Sequence, residues 1–207
     1  MYLTIKRLID IVLSLTGLIF LSPIFLVLMI AIKLDSEGPV LFKQKRIGIH
    51  KTNFNMLKFR TMRIDTPKDT PTHILENPEQ YITKMGGFFR KTSLDELPQI
   101  WNILLGHMSI IGPRPALWNQ YDLIEERDRY KANNVHPGLT GWAQINGRDE
   151  LIIEEKAKLD GEYVEKLSFL MDLKCFFGTV LSVVKSDGVV EGGTGKRKTD
   201  NKETESK

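Results

Sequence analysis

Two adjacent carboxylates, Asp95 and Glu96, are the residues in this sequence best suited to do chemistry. One carboxylate of such a pair can bind a divalent cation while the other acts as a nucleophile. Arg90 and Lys91 shortly precede the pair, and both residue types bind phosphate oxygens. The combination suits metal-assisted phosphoryl transfer. The structural alternative is a helix start, because Ser93 and Glu96 have the spacing of a capping box.

Further candidates lie in two stretches rich in glycine and proline. Arg114 stands between two prolines, which restrict the backbone and would aim one guanidinium group rigidly. A structural ion pair in a turn is the alternative for Arg114. The stretch 136–148 combines three glycines with Trp142, Gln144 and a terminal arginine, which is typical of a ligand-lining loop. A tight loop packed around Trp142 is the alternative there.

A long apolar run near the N-terminus indicates that this site works at a membrane. From Ile11 to Ile32 the chain has 22 residues without a charge, enough for a helix to cross a bilayer. Ser22 and Pro23 stand at the centre, where proline breaks or kinks a helix. We therefore expect two half-helices, Ile11–Leu21 and Ile24–Ile32, with the carbonyls freed by the proline bonded to the Ser22 or Thr16 hydroxyls or to neighbouring protein.

Basic residues flank this run on both sides. Lys6 and Arg7 precede it and Lys33 follows it, and residues 1–63 carry ten Lys or Arg against three Asp or Glu. Positive residues stay on the cytoplasmic side of a membrane, so both ends are expected there. A re-entrant helix that dips into the membrane and returns satisfies both observations. A kinked helix that crosses the membrane is the alternative.

The remainder of the chain is typical of a soluble domain, and the predicted fold class is α+β. We expect a mostly helical cytosolic domain with a short β-hairpin, plus the re-entrant membrane helix and amphipathic interfacial helices. The expected division is 1–33 for the membrane helix, 34–187 for the catalytic domain and 188–207 for a disordered tail. The predicted strands and helices are Val40–Lys45, Phe54–Phe59, Ser93–Leu105, Trp118–Lys131, Ile152–Lys166 and Ser168–Lys185.

Composition excludes several classes of protein. The single cysteine, Cys175, rules out an intrachain disulfide and a cysteine-based zinc site. The stretch 192–197 resembles a phosphate loop, but Arg197 stands where serine or threonine is required. The basic excess lies beside an apolar run, which favours a membrane surface over nucleic acid as the partner.

At these residues the sequence resembles the small monotopic phosphoglycosyl transferases, bacterial enzymes that act on polyprenyl phosphate. The resemblance extends from about Met1 to Val189. The motifs that carry it are Lys6-Arg7 with Asp10, Ser22-Pro23, Lys58-Phe59-Arg60-Thr61-Met62, Ser93-Leu94-Asp95-Glu96-Leu97, Gly112-Pro113-Arg114-Pro115, Pro137-Gly138-Leu139-Thr140-Gly141-Trp142-Ala143-Gln144 and Phe169–Lys174.

The resemblance implies a reaction and a set of substrates. A sugar 1-phosphate would pass from a UDP-sugar to undecaprenyl phosphate, with release of UMP, as the first membrane step of a bacterial glycan or glycoconjugate pathway. The enzyme would require Mg²⁺ and would lie in the bacterial inner membrane, with its catalytic domain facing the cytoplasm. Membrane phospholipids are the remaining expected partner. The transferred sugar and any homo-oligomerisation are left open.

The resemblance also implies residue roles. Asp95 would be the nucleophile of a covalent phosphosugar intermediate, and Glu96 would hold Mg²⁺ or assist the acceptor. The other residues to which it points are Arg90, Arg114, Lys58, Arg60, Gln144 and Arg148 for phosphate and substrate, Asp172 together with the catalytic pair for metal, and Lys6, Arg7, Ser22 and Pro23 for the membrane.

Two other function classes give distinct expectations. A transferase of the multi-span type, with direct attack by the lipid, would form no covalent enzyme and is disfavoured by the single apolar run. A catalytically inert membrane scaffold would need the carboxylate pair to act only as a helix cap, so that changing Asp95 would alter stability alone.

Overall fold

The computed structural model describes residues 2–66, 77–147 and 151–185 of the chain. In this part the chain is mostly helical and contains two small sheets, which confirms the α+β class. The helices are α1 (Tyr2–Asp35), α2 (Lys84–Lys91), α3 (Gln99–Leu104), α4 (Tyr121–Arg129), α5 (Trp142–Ile145), α6 (Ile153–Glu165) and α7 (Phe169–Lys185). The strands are β1 (Leu41–Ile47), β2 (Asn53–Phe59), β3 (Ser109–Ile111) and β4 (Gly138–Thr140). Short 3-10 turns cover Ile49–Lys51, Pro78–Tyr81, Leu94–Glu96 and Ala132–Asn134.

The predicted tail, 188–207, lies outside the described residues. The proposed domain boundaries stay a prediction.

The predicted hairpin is present as β1 and β2. The two strands pair antiparallel, with Leu41 opposite Phe59 and Ile47 opposite Asn53. Phe54 and Met56 share one face of β2 and are buried with Ile103 and Met108, whereas Phe59, which points to the opposite face, is buried with Phe89 and Leu28. The hairpin thereby holds the intervening Lys58 at a fixed position on the surface of the domain.

A second sheet consists of the parallel pair β3 and β4, which the sequence did not predict. Ser109 lies opposite Gly138, and Ile111 lies opposite Thr140. Each strand has three residues, too few for an alternating pattern to stand out in a sequence. This sheet positions the two candidate stretches: β3 leads into the loop that carries Arg114, and β4 lies in the stretch 136–148.

The expected break of α1 at its centre is wrong, because α1 is one continuous helix from Tyr2 to Asp35 with Pro23 inside it. Pro23 lacks the N–H that would bond to the carbonyl of Ile19. The hydroxyl of Ser22 donates to that carbonyl at 2.8 Å. A hydroxyl group thus bonds to the carbonyl freed by the proline, as predicted. The Ile19 carbonyl keeps a hydrogen-bond partner, and the helix is not split into halves.

One face of α1 packs on the rest of the protein near both ends of the helix. Its buried residues recur mostly at intervals of three or four positions within each end, as on a single helix face, and are Lys6, Asp10, Ser14, Leu28 and Ile32. The opposite face is apolar and exposed. By length and composition α1 could cross a membrane, and only 11% of its most apolar window is buried. A soluble core helix would be mostly buried, so α1 is suited to associate with a membrane.

The last helix, α7, is also amphipathic. Met171 and Cys175, four residues apart, are buried against Tyr163 and Ile111, whereas Leu170, Phe177 and Leu181 are exposed. The predicted helix Ser168–Lys185 is confirmed within one residue. An exposed apolar face on a helix that also carries charge is typical of a membrane interface.

The segment expected to form one helix, Ser93–Leu105, is divided. Leu94–Glu96 forms a 3-10 turn and α3 begins only at Gln99. Pro98 explains the division, because it has no N–H to continue a helix begun at Leu94. The predicted helix Trp118–Lys131 is likewise shorter, and the left-handed backbone of Lys131, with φ of 56°, ends it.

Candidate active site

Asp95 and Glu96 lie in the 3-10 turn between α2 and α3. Ser93 enters this turn with φ of 56°, a left-handed conformation that costs a residue other than glycine about 1–3 kcal/mol. Its side chain makes no capping hydrogen bond. The capping-box interpretation is therefore wrong, and the strained turn instead presents two adjacent carboxylates.

Glu96 is locked between two cations. The Arg114 guanidinium contacts both oxygens of its carboxylate, with Nη1 at 3.3 Å from Oε2 and Nη2 bonded to Oε1. Lys58 Nζ, from β2, lies 2.8 Å from Oε1. Burial by itself would raise the pKa of Glu96, but Arg114 and Lys58 outweigh it and hold this pKa far below its usual range. Glu96 is therefore ionised throughout the physiological pH range.

Asp95 is buried but only lightly paired. Lys58 Nζ lies 3.9 Å from its Oδ2, which is beyond hydrogen-bond distance. Burial raises the pKa of Asp95; Lys58 opposes this rise, and the neighbouring Glu96 charge adds to it. A carboxylate with little solvation and no tight partner is more nucleophilic than one locked in an ion pair. The two neighbours thus have different chemical characters, which the sequence alone could not assign.

The loop that carries Arg114 is held by the backbone of the neighbouring loop. Gly112 N donates to the Thr140 carbonyl at 2.8 Å, and Gly138 N donates to the Pro113 carbonyl at 2.9 Å. A Cβ at Gly138 would lie 2.1 Å from Gly112 N, so only glycine permits this approach. The loop that carries Arg114 and the stretch 136–148 are therefore in contact. This contact fixes the backbone from which the Arg114 side chain extends.

Gln144 belongs to the same cluster, whereas Trp142 does not. Gln144 Nε2 donates to the Leu139 carbonyl at 3.1 Å, and Arg114 Nη1 lies 3.5 Å from the same oxygen. Trp142 Nε1 donates to Glu162 at 3.2 Å and its ring packs in the core. The structure thus favours the packing alternative for Trp142 and the site interpretation for Gln144.

Arg90 acts on the pair from the end of α2. Its Nε donates to Thr61 Oγ1 at 3.0 Å, and its charge is among those that lower the pKa of Asp95. With Lys58 and Arg114 it gives three cations around two carboxylates. The excess of positive charge suits a polyanionic substrate such as a diphosphate.

Arg46 is a residue of this site that sequence reasoning did not single out. Its Nη1 donates to the Pro115 carbonyl at 2.9 Å, and its other nitrogens contact Gln44. Burial, aided by the Arg114 charge, lowers the pKa of Arg46 to about 9. The alternation along β1 was the available signal, because Gln44 and Arg46 share the less exposed face whereas Lys43 and Lys45 are exposed.

Arg60, a predicted phosphate-binding residue, is not part of this cluster. Arg60 is buried, and its guanidinium donates to Ser36 and to the Pro39 carbonyl at 2.6–2.8 Å. These contacts fasten the chain after α1 to the hairpin. Arg148 lies outside the described residues.

Asp172, predicted as a metal ligand, belongs to a different group of side chains. Lys6 Nζ lies 2.7 Å from its Oδ2, Tyr2 donates to the same oxygen, and the Tyr163 hydroxyl lies 2.7 Å from Oδ1. Within residues 2–66, 77–147 and 151–185, no group of three His, Cys, Asp or Glu side chains could hold a metal ion. Asp172 therefore helps to connect α7 to α1.

Lys6 and Arg7, predicted as membrane residues, point into the protein. Lys6 is buried against Asp172. Arg7 donates to the carbonyls of Ile103 and Leu104 at the end of α3, at 2.6 and 2.9 Å. Neither side chain is thus simply a solvated flanking charge.

Comparisons with known proteins identify the family. The family model described as bacterial sugar transferase matches residues 1–186. This chain is a member of the bacterial sugar transferase family. The match covers nearly all of the described structure, and it confirms the resemblance on which the residue roles were based.

Bacterial sugar transferases with similar sequences occur in several organisms. The sugar transferase EpsL of Bacillus subtilis, whose name states that it is uncharacterized, is 41% identical over 185 residues, 89% of this chain and 90% of that protein. The exopolysaccharide production protein PSS of Rhizobium leguminosarum bv. phaseoli is 38% identical, covering 88% of this chain and 96% of that protein. The UDP-glucose:undecaprenyl-phosphate glucose-1-phosphate transferase of Escherichia coli is 41% identical over 85% of this chain but only 39% of its own length. The chain thus spans about two fifths of this longer relative.

Proposed function

We propose that this bacterial sugar transferase moves a sugar 1-phosphate from a UDP-sugar to undecaprenyl phosphate. The products are undecaprenyl-diphosphate-sugar and UMP. The observation that carries this proposal is the contrast within the pair: Glu96 is locked by Lys58 and Arg114, whereas Asp95 is buried and lightly paired. The name of the Escherichia coli relative supports the same reaction.

The proposed reaction has two displacement steps at one phosphorus atom. In the first, an Asp95 oxygen attacks the β-phosphorus of the UDP-sugar, and the bond to the bridging oxygen breaks, so that UMP leaves with the electron pair. In the second, an oxygen of undecaprenyl phosphate attacks the same phosphorus and releases the Asp95 carboxylate. No proton transfer is required, since both nucleophiles are anions. Arg90, Lys58 and Arg114 would bind the phosphate oxygens whose charge must be offset in each step.

Mg²⁺ is the proposed cofactor, and the residues present fit it as an ion held jointly by carboxylates and substrate phosphates. Among the described residues no third acid joins the two adjacent carboxylates to form an all-protein cage, but Mg²⁺ commonly binds through one or two carboxylates plus substrate phosphates. Asp95 and Glu96 are the residues that would hold it. When bound, the ion would offset charge on the diphosphate and on the departing UMP. Asp172 is not proposed as a ligand.

The sugar is the main unknown, and one assay tests both the reaction and its specificity. We propose to present a panel of UDP-sugars, including UDP-glucose, with undecaprenyl phosphate, and to measure UMP release. UMP release that depends on enzyme and lipid acceptor for at least one donor is expected. Absence of UMP with every donor would contradict the proposed function.

We further propose that the protein lies on the cytoplasmic face of the bacterial inner membrane. Both ends of α1 contact the same folded domain: Lys6 bonds to Asp172, and Lys33 donates to the Gly38 carbonyl at 2.8 Å, while Asp35 accepts from Met85 N at 3.1 Å. The exposed apolar faces of α1 and α7 would enter the lipid. UDP-sugars are cytoplasmic compounds, which sets the side.

The topology predicts a labelling result. Single cysteines at the exposed positions Thr4 and Glu37, in a chain whose buried Cys175 is replaced by alanine, should both be protected from a membrane-impermeant thiol reagent in intact cells whose outer membrane is permeabilised. Both should react once the inner membrane is opened. Labelling of one position but not the other before that step would mean that α1 crosses the membrane.

Replacing Arg114 by lysine keeps the positive charge but removes the forked geometry with which a guanidinium binds a phosphate. An ammonium group cannot contact both oxygens of Glu96, or of a phosphate, in the forked geometry of a guanidinium. We expect Arg114→Lys to lower kcat/KM by about 10- to 100-fold, or roughly 1.4–2.8 kcal/mol. Steady-state UMP release measures this. Wild-type turnover in Arg114→Lys would show that Arg114 is structural.

A further inference from the structure

The start of α1 contacts both segments that carry the proposed catalytic groups. Asp95 and Glu96 lie just before α3, and Arg114 lies just after β3. One turn of α1 contains Arg7 and Asp10, which are three residues apart and therefore on the same face. Arg7 contacts the end of α3, and Asp10 contacts β3.

Arg7 caps α3. Its guanidinium donates to the carbonyls of Ile103 and Leu104, which have no donor within the helix, and its charge complements the negative end of the helix dipole. Gly106 follows with φ of 87°, and a Cβ there would lie 3.2 Å from Arg7 Nη2. The chain passes close to Arg7 at Gly106. These contacts fix the C-terminal end of α3, the helix that follows Asp95 and Glu96.

Asp10 completes the open edge of β3. Ser109 N and Gly112 N donate toward the β4 side of the small sheet, to Pro137 and Thr140. The intervening Ile110 N donates to Asp10 Oδ1 at 3.0 Å. The carboxylate thus takes the place of a third strand, whose absence would leave a polar group without a partner. Ser14 Oγ in turn donates to the Asp10 carbonyl at 2.6 Å, and Asp10 is 3% exposed.

We propose that Asp10 is a positioning residue for the transfer reaction. By holding Ile110 on β3, it fixes the path of Gly112 to Arg114, while Arg7 fixes the segment that presents Glu96. The membrane-associated helix is on this view part of the active-site framework as well as an anchor. The inference rests on the proposed function, since its effect is on the placement of Arg114 against Glu96 and the substrate phosphates.

The test compares two substitutions at Asp10. Asp10→Leu removes the acceptor for Ile110 N, whereas Asp10→Asn keeps an oxygen that can accept this bond. Because small misplacements of catalytic groups cost up to about 100-fold in rate, Asp10→Leu should lower kcat for UMP release by about 10- to 100-fold. Asp10→Asn should stay within about threefold of the wild-type kcat, since its amide oxygen can still accept the hydrogen bond from Ile110 N. If Asp10→Leu does not fold, Asp10→Val, a smaller apolar side chain that also removes the carboxylate, gives the same comparison.

A double-mutant cycle distinguishes positioning from general destabilisation. If Asp10→Leu displaces Arg114, then Arg114→Lys should cost clearly less in the Asp10→Leu background than in the wild type, because contacting residues are not additive. Asp160→Asn is the matched control. Asp160 is a buried aspartate that pairs with Arg127 between α4 and α6 at 2.6 Å, and its change should lower the Tm and combine independently with Arg114→Lys.

The possible results have different meanings. A wild-type kcat in Asp10→Leu would overturn the role of Asp10 while leaving the reaction intact. So would a double mutant whose loss in rate equals the product of the losses in Asp10→Leu and Arg114→Lys. A loss in Asp10→Asn as large as in Asp10→Leu would also overturn it. A wild-type enzyme that releases no UMP from any donor would instead contradict the proposed function, and the role of Asp10 would be rejected with it.

Discussion

Asp95→Asn should abolish turnover without harming the fold. The amide is nearly the same size as the carboxylate but cannot form the acyl phosphate bond, so we expect UMP release to fall by about three orders of magnitude or more. Steady-state assays with undecaprenyl phosphate and the preferred UDP-sugar measure this. Residual turnover within tenfold of the wild type would mean that Asp95 is not the nucleophile.

The stability of Asp95→Asn should be equal to or higher than that of the wild type. Burial raises the pKa of Asp95 in the folded state above its unfolded value. Folding therefore favours the protonated form, and the ionised form costs stability once the pH rises through the folded pKa. A neutral amide removes that cost at pH 7. Thermal unfolding in detergent or nanodiscs measures the Tm.

Glu96→Gln is the matched control for stability, and its sign is opposite. The pKa of Glu96 is lowered in the folded state, so its stabilisation is present above the unfolded pKa and is lost only as pH falls through the folded pKa. Glu96→Gln should therefore destabilise the protein at pH 7 by about 1–3 kcal/mol, because it leaves Arg114 and Lys58 without their carboxylate. A lower Tm for Asp95→Asn than for Glu96→Gln would contradict the contrast between the two residues.

Removal of divalent cations should have the second largest effect. Asp95 and Glu96 would hold the proposed ion, which would offset charge on the diphosphate and on the departing UMP. We expect EDTA to reduce UMP release to background and excess Mg²⁺ to restore it. The control is a Tm measured with EDTA, which should change little, since the proposed ion is held mainly together with the substrate. Full activity in EDTA would remove Mg²⁺ from the mechanism.

The sequence predicted the parts of this fold whose signals are local. The hairpin β1–β2, the helices α6 and α7 and the apolar helix α1 were found from alternation, periodicity and length. The parallel pair β3–β4 was missed, because strands of three residues carry no period. The continuity of α1 through Pro23 was also missed: the compensating hydroxyl bond to the Ile19 carbonyl was predicted, but not that the helix would continue through the proline.

The sequence predicted which residues form the candidate site, but not how the two carboxylates differ from each other. Residue types and motifs indicated Asp95, Glu96, Lys58, Arg90 and Arg114. The locked state of Glu96 and the lighter pairing of Asp95 come from distances that a sequence cannot supply.

Several residues named from motifs have contacts that differ from the expected ones. Arg60, Lys6 and Asp172 are charged residues that connect elements of the fold, and a motif does not distinguish that use from catalysis. Arg46 was counted only within the basic excess of residues 1–63, although it lies beside Arg114.

The central claim is that Asp95 carries the sugar phosphate between two half-reactions. The most direct test is to mix wild-type enzyme, Mg²⁺ and the preferred UDP-sugar without undecaprenyl phosphate, quench rapidly, and measure both UMP and the intact mass of the protein. We expect about one UMP per enzyme and a mass increase equal to one sugar phosphate, both absent in Asp95→Asn. No UMP burst and no adduct, in an enzyme that turns over once the lipid is added, would contradict the covalent mechanism.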